Sequence, residues 1–499
     1  MILTLFLLIP LAVACGTATP DTPGSKETKA GPSGDGKQTE SETSGTPGED
    51  ESGTTWYTPE LPEEPPFTGK TFTFFAFTDD TSEYWHDTDF TAEAINGDSI
   101  NDAVYERNMY VAEKSGADLI IAHGGRGGDF SQLVNTIASG DDEYQAADLN
   151  THQMFQQATQ EHLVELNGMG TIQLDAPWWD QNCRSQLSIM GQNYGLYGDI
   201  GVMYMRTFGI VMFNKKLVTD HLNDVDLYEV QQNREWTIEY MADLVNSVSV
   251  DLDGNGEMTE DDLFGMVYQG DMMPVALICA GVEFTKKNDS DEPVMDFNND
   301  KTLDAIDMLA DLMYNTECAR SSSASSPNVS DHHHSFQTNH AVFDVTEIHA
   351  VIDARPMETN FGVLCMPLFD EDQEDYLTCI NPHVAATMVV PNSIQEPEFV
   401  GAMLDLLSAI GKNYLTPAFY DVTLQGRAVR DEESRATLDL IIGSVRYDLG
   451  YVASWGVSEM MRGMGDARQT NFASRYESNI SALRTNMEKT IEQFALMGG

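Results

Sequence analysis

KTFTFFAFTDD, residues 70–80, decides how the folded body is read. Residues 71–77 alternate Thr with aromatic residues and predict a strand, and the polar 78–80 that follow predict a loop at its carboxyl end. NDAVYERNMYVAEK, residues 101–114, has helical spacing, and 118–122 reads as the next strand. A helix over 131–138, a short strand over 146–150 and a mostly helical 153–166 continue the pattern. Strands alternating with helices at this spacing predict parallel βα units. Ligands of such sheets meet the loops beyond the strands. Those loops hold Asp79, Trp85, Asn150, His152 and Gln153.

A second α/β set begins near Phe208. Strands are expected over 209–214 and 264–268, the latter followed by Gln269-Gly-Asp-Met-Met273. Helices are expected over 236–248 and 302–314, and 321–334 reads as a polar loop. Residues 341–345, 362–366, 376–380 and 384–391 are strand-like, 397–410 is helical, and the rest is mainly helix, with Trp455 in YVASWG. The fold class expected is therefore α/β.

Outside this body, MILTLFLLIPLAVA, residues 1–14, is nearly all apolar. It is too short for a membrane span, which needs about 20 residues, but fits a secretory signal. Cys15 follows small residues and resembles the lipidated cysteine of bacterial lipoproteins; a plain cleaved signal is the alternative. Residues 16–66 are rich in Thr, Ser, Gly, Pro and Glu and read as a disordered tether. The 499-residue chain carries 80 acidic against 27 basic residues and a formal charge of −53, a field that repels nucleic acids and anionic headgroups. Its length predicts two or three domain-sized units. Five cysteines remain beyond Cys15, none in a CxxC pair. Cys365 and Cys379 flank the polar loop 370–375 symmetrically; they are expected as buried thiols, with a disulfide as the alternative.

DLDGNGEMTEDD, residues 251–262, has the spacing of a twelve-residue calcium loop. Asp251, Asp253 and Asn255 stand at positions one, three and five, Gly256 at the turn, the Glu257 carbonyl at seven, Thr259 at nine and Asp262 at twelve. These oxygens suit a hard cation, and a structural Ca2+ is expected; Asp262 is a shorter arm than the usual Glu. His332, His333 and His334 sit in a Ser-rich stretch without spaced carboxylate or cysteine partners and read as a solvated loop. Gly97-Asp98-Ser99 looks like the nucleophile block of GDS-type esterases, but it opens a helix, so Asp98 or Ser99 is better explained as an N-cap. Trp85, Trp178, Trp179 and Trp455 could stack on sugar faces or pack in the core, and Trp236 reads as a packing residue.

Taken in order, GDSINDAVYERN (97–108), WWD (178–180), MFNKKL (212–217), FGVLCMPLFDEDQEDY (361–376) and PAFYDVTLQGRAVRDEES (417–434) resemble the extracellular solute-binding lipoproteins of ABC importers. The family is the one that includes the maltose-binding protein, and the likeness is to its large sugar-type members in anaerobic Gram-positive bacteria. The resemblance implies a two-lobed, type II binding-protein fold closing on a ligand between hinged lobes. It implies lobe 1 over 67–205, lobe 2 over 206–382, a return to lobe 1 over 383–416, and helices over 417–499 packing across both. Its ligand-facing loops map onto Asp79, Trp85, Asn150, His152, Gln153, Tyr268, Gln269, Asp271, Glu347 and Trp455. The expected function is capture of a carbohydrate, without enzymatic activity, for delivery to an ABC permease. The expected state is a lipid-anchored monomer on the extracellular face of the cytoplasmic membrane, with no nucleic-acid partner. The rival readings are a binding protein for peptides or polyamines, a surface esterase using Ser99, and a wall-associated adhesion lipoprotein.

Overall fold

The computed structural model describes residues 48–49, 55–61, 65–76, 89–124, 129–295, 297–322, 331–424 and 432–498. Asp79, Trp85, the segment 1–14 and Cys15 lie outside them. The described residues all belong to one compact unit, Thr43–Gly499. No described helix is long and apolar enough to cross a membrane.

Two sheets organise the body. In the first, Thr71–Ala76 lies between Asp118–His123 and Ala146–Asn150, parallel to both, and Ala386–Val389 adds antiparallel to Ala146–Asn150. In the second, Leu263–Gln269 lies between Ala319–Ser322 and Ala341–Glu347, again in parallel. Gly209–Asn214 and Phe361–Leu364 extend that sheet in antiparallel fashion. The chain thus leaves the first sheet after Asn150, enters the second at Gly209, and returns between Leu364 and Ala386. All seven residues of Ala341–Glu347 are buried, as expected for a strand covered by helices on both faces.

The helices start and stop where local chemistry directs. Asp98 caps Ser99–Ser115 by accepting the Asn101 N–H, and Gly116 ends it at φ 72°. A side chain at Gly116 would meet Thr68 Oγ1 at 2.7 Å. The helix packs along Pro397–Leu424, which runs well beyond the expected 397–410. Phe472–Met497 spans the two halves: Phe494 meets Tyr194 near the first sheet, while Phe472 and Tyr476 meet Phe297 beyond the second.

Several expectations need correction. The helix expected over 153–166 is Thr151–Thr159, because Glu161 takes φ 61° and breaks it. The polar loop 321–334 instead holds the end of the strand Ala319–Ser322 and the start of a helix, Asp331–Gln337. The strand expected over 376–380 does not form; Thr378 makes a single bridge with Val445 because its neighbour is a loop, not a strand. Part of the expected tether is packed. Trp56 stands edge-on to Tyr414 and near Tyr110, and Tyr57 exchanges two hydrogen bonds with the Asn413 side chain. Trp56, Tyr57 and Leu61 pack against the core and supply the apolar contact that holds this segment. All five described cysteines are free, buried thiols, Cys365 and Cys379 among them.

Trp178 and Trp179 are core residues: both indole N–H groups donate to Asp405 Oδ1, at 3.0 and 2.9 Å, while Asp405 Oδ2 accepts the Gln173 N–H at 2.8 Å. Asp405 is fully buried, and burial pushes its carboxyl pKa up. Asp405→Ala would strand three donors, so a loss of about 3 kcal/mol or more is expected in urea unfolding. Asp405→Asn, which keeps an acceptor for the indoles, should cost clearly less.

Candidate ligand-binding site

The carboxyl ends of the parallel strands carry most of the residues expected at the site. Asn150 ends its strand and caps the next helix: Oδ1 accepts the Gln153 N–H at 2.9 Å, and Nδ2 donates to the His383 carbonyl at 2.9 Å. His152 is buried, and both ring nitrogens meet protein, Nε2 at His383 Nε2 (3.2 Å) and Nδ1 at the Ser454 backbone N–H (3.2 Å). Its pKa is pushed down to about 3, first by burial, then by His383 and Arg462, so its ring is neutral at physiological pH. Gln153 differs: its Oε1 is sealed from solvent and has no hydrogen-bond partner.

On the second sheet, Tyr268 and Val345 are paired in register on adjacent parallel strands. Glu347 and Asp271 therefore emerge close together where those strands end. Glu347 Oε1 accepts from Asn381 Nδ2 at 2.9 Å, and Oε2 lies 3.4 Å from His349 Nδ1. Asp271 Oδ1 is sealed from solvent without a partner. Burial first, and the Glu347 charge second, push the Asp271 pKa up to about 6. Gln269, the last residue of its strand, is half-buried beside them. The charge of Arg462, an exposed residue of the helix Val457–Asp466, acts on His152, His383 and Asp271 alike. Site groups from both sheets thus feel one guanidinium charge.

Two expected residues are buried and hydrogen-bonded within the protein. Tyr268 is buried, its hydroxyl donating to the Met313 carbonyl at 2.8 Å. Trp455 is buried, and its indole donates to Thr490 Oγ1 at 2.9 Å. Conversely, Asp344, Thr346, Asn381, His383 and Arg462 were missed. Asp344 Oδ1 and Thr346 Oγ1 are further sealed, unpartnered atoms on one face of the buried strand Ala341–Glu347. Polar residues at alternate positions of an apolar run, FDVTE, were the available signal. His333 also departs from expectation: it is buried, with Nδ1 2.7 Å from Asp344 Oδ2. Burial works against its charge, but Asp344, helped by Asp353 and Glu347, turns the net shift upward.

Two further features lie apart from these residues. A surface cavity of about 950 Å³ is lined by Glu283, Lys286, Asp375, Asp439, Arg446 and Tyr447. Three of its charges are paired within the wall, Lys286 and Arg446 both with Glu283. In the 251–262 loop, carboxylate oxygens of Asp251, Asp253 and Asp262 lie within 4.8 Å of one another. Asp251 accepts N–H groups of Gly254 and Gly256, Asp262 those of Leu252 and Thr259, while the Asn255 side-chain Oδ1 accepts the Glu257 N–H.

Searches against family models and curated protein sequences return no match. Solved structures do match. An ABC substrate-binding protein of Listeria monocytogenes in complex with cycloalternan is 13% identical, with a TM-score of 0.52 over 85% of this chain and 99% of its own. The GacH receptor of Streptomyces glaucescens, solved unliganded and with acarbose, is 12% identical, with a TM-score of 0.51 over 85% and 97%. A cyclo/maltodextrin-binding protein complexed with maltotetraose is 11% identical, with a TM-score of 0.52 over 85% and 98%.

The raised carboxyl of Asp271 makes a testable contribution to stability. The folded state holds its proton more tightly than the unfolded chain, whose value is about 3.9. This contribution is full below about pH 4 and lost as pH rises through about 6. Asp271→Asn should therefore flatten that part of the pH–stability curve and raise stability at pH 8 by on the order of 2 kcal/mol, read by urea unfolding. An unchanged slope would show that Asp271 titrates normally. In its architecture, the chain has the two-lobed α/β fold of the ABC substrate-binding proteins.

Proposed function

We propose that the chain is a solute-binding protein of an ABC importer, capturing a carbohydrate, most suitably an oligosaccharide, and passing it to a membrane permease. One observation carries this reading: Gln153 Oε1 from the first lobe and Asp271 Oδ1 from the second are sealed acceptors that the protein leaves without donors. Such atoms cost about 1–3 kcal/mol each until a donor arrives, and sugar hydroxyls supply donors at suitable spacing. Glu347 at the adjoining strand end adds a third acceptor wall. The neighbours' ligands, cycloalternan, acarbose and maltotetraose, support the same class. A cationic solute is the second reading, favoured by the carboxylates of Asp271 and Glu347 at adjacent strand ends.

The rest of the proposal follows the export grammar. Cys15 would carry lipid and hold a monomer on the extracellular face of the membrane. Asp98 spends its side chain on the Asn101 N–H, and Ser99 is the first residue of the helix, which supports a cap over a nucleophile. Ca2+ would sit among Asp251, Asp253, Asn255, Glu257 and Asp262; the three convergent carboxylates support this. It would stiffen the connection from Ser249–Val250 into Leu263–Gln269, the strand that presents Gln269 and Asp271.

A thermal-shift panel of mono- and oligosaccharides, peptides and polyamines decides the solute. A true ligand stabilises by about 2.7 kcal/mol at a hundredfold excess over its Kd. Shifts with sugars are expected, weakened about tenfold in affinity by Gln153→Ala and by Glu347→Gln. Shifts with polyamines alone would move the assignment to the cationic class; no shift at all would overturn solute capture from this panel. Chelation by EGTA should lower the melting temperature, and Asp251→Ala should abolish that response.

A further inference from the structure

His152 follows the first sheet at its carboxyl edge, and His383 lies on the crossing that returns to that sheet. The antiparallel register Ala386↔Asn150 sets them nearly opposite one another. Their Nε2 atoms are 3.2 Å apart and their ring centroids 4.1 Å. Two ring nitrogens at that distance share one proton. With two, the protons collide; with none, lone pairs do.

The outer contacts decide which ring owns that proton. His152 Nδ1 accepts the Ser454 backbone N–H, so it carries no proton of its own. The His152 proton is therefore on Nε2 and is donated to His383 Nε2. His383 must then hold its own proton on Nδ1. Ser454 Oγ, 2.7 Å from His152 Nδ1, and Ser458 Oγ, 3.3 Å from His383 Nε2, complete the shell. The Arg462 charge acts on both rings and on Asp271, and the Glu459 charge acts on His383. Burial and the Arg462 charge hold both imidazoles below their ordinary pKa, against the weaker pull of Glu459 on His383.

The segment supplying these contacts belongs with the second lobe. Asp448 accepts the Phe284 and Thr285 N–H groups, Gly465 lies against Met273, and the Tyr314 hydroxyl reaches the Met464 carbonyl at 3.4 Å. We infer that His152 and His383, with Ser454 and Ser458, form a one-proton clasp between the carboxyl edge of the first lobe and the segment 449–466, and that a second proton, gained in mild acid, breaks it and opens the ligand site. A proton arriving at His152 Nδ1 displaces the Ser454 N–H and leaves Ser454 Oγ as the acceptor there; one arriving at His383 Nε2 meets the His152 proton head-on. The consequence for solute release rests on the proposed binding function; the clasp itself does not.

Opened imidazoles regain their ordinary pKa of about 6.5, so each pH unit below it favours the open form about tenfold per proton gained. Hydrogen exchange of the full chain from pH 8 to 5, corrected for intrinsic rates, should show that loss of protection in 449–466 and 151–159. The double variant His152→Gln/His383→Gln keeps an amide donor and acceptor at the Nε2 positions but gains no proton, and its protection should stay level. Flat protection in the parent, or an unchanged slope in the double variant, overturns the clasp. If the double variant does not fold, side-chain ¹⁵N spectra of the parent decide. Nε2–H on His152 and Nδ1–H on His383 are expected; matching tautomers, or charge on either ring at neutral pH, would overturn it. Neither readout uses a solute, so failure here is distinct from failure of the sugar panel.

Discussion

A short antiparallel pairing, Ala386–Val389 against Ala146–Asn150, fixes how the two halves of this molecule meet. It is the antiparallel strand pairing of the first sheet among the described residues, and it closes the chain's excursion through the second. Because the register is set by backbone hydrogen bonds, the residues leading into the seam have little choice of position. Asn150 reaches the His383 carbonyl, His152 meets the His383 ring, and Asn381, two residues earlier, reaches Glu347 at the end of a second-sheet strand. A slip of one residue would scatter these contacts and separate the acceptors of the two lobes.

The polar chemistry around that seam divides into groups the protein satisfies and groups it does not. His152, Asn150, Tyr268 and Trp455 spend their hydrogen-bonding capacity internally. Gln153 and Asp271 keep sealed atoms idle. Idle buried acceptors are a stability cost, and a chain retains them where something else supplies the donor. This separation between framework and unsatisfied groups within one small region is what the proposed solute capture calls for. The first kind holds the geometry, and the second makes the empty geometry unfavourable.

The strands were readable because their signals are local. Ala146–Asn150 and Gly209–Asn214 have the expected bounds, since apolar runs ended by Asn, Gly or Lys leave few alternatives. The 376–380 stretch misled because an apolar run implies a strand only when a neighbouring strand is there to pair. Within the candidate site, the loops after strands pointed to Gln153, Asp271 and Glu347, since the carboxyl ends of parallel strands are where such folds receive ligands. His383 and Arg462 were not legible. They reach the site through the return crossing and a helix more than 300 residues after His152 in sequence, and no spacing rule covers such a distance. The packing of Trp455 was illegible for the same reason: only the fold shows that Thr490 is waiting for its indole.

The packed segment Trp56–Leu61 bears on a mechanical question. Trp56 and Tyr57 grip Tyr110, Asn413 and Tyr414, on the two long helices beside the first sheet. Tension carried along the preceding chain would enter the body there and be borne by the Ser99–Ser115 and Pro397–Leu424 pair. The described contacts of that grip involve no part of the second sheet. One lobe would take the load of attachment while the other remained free to swing.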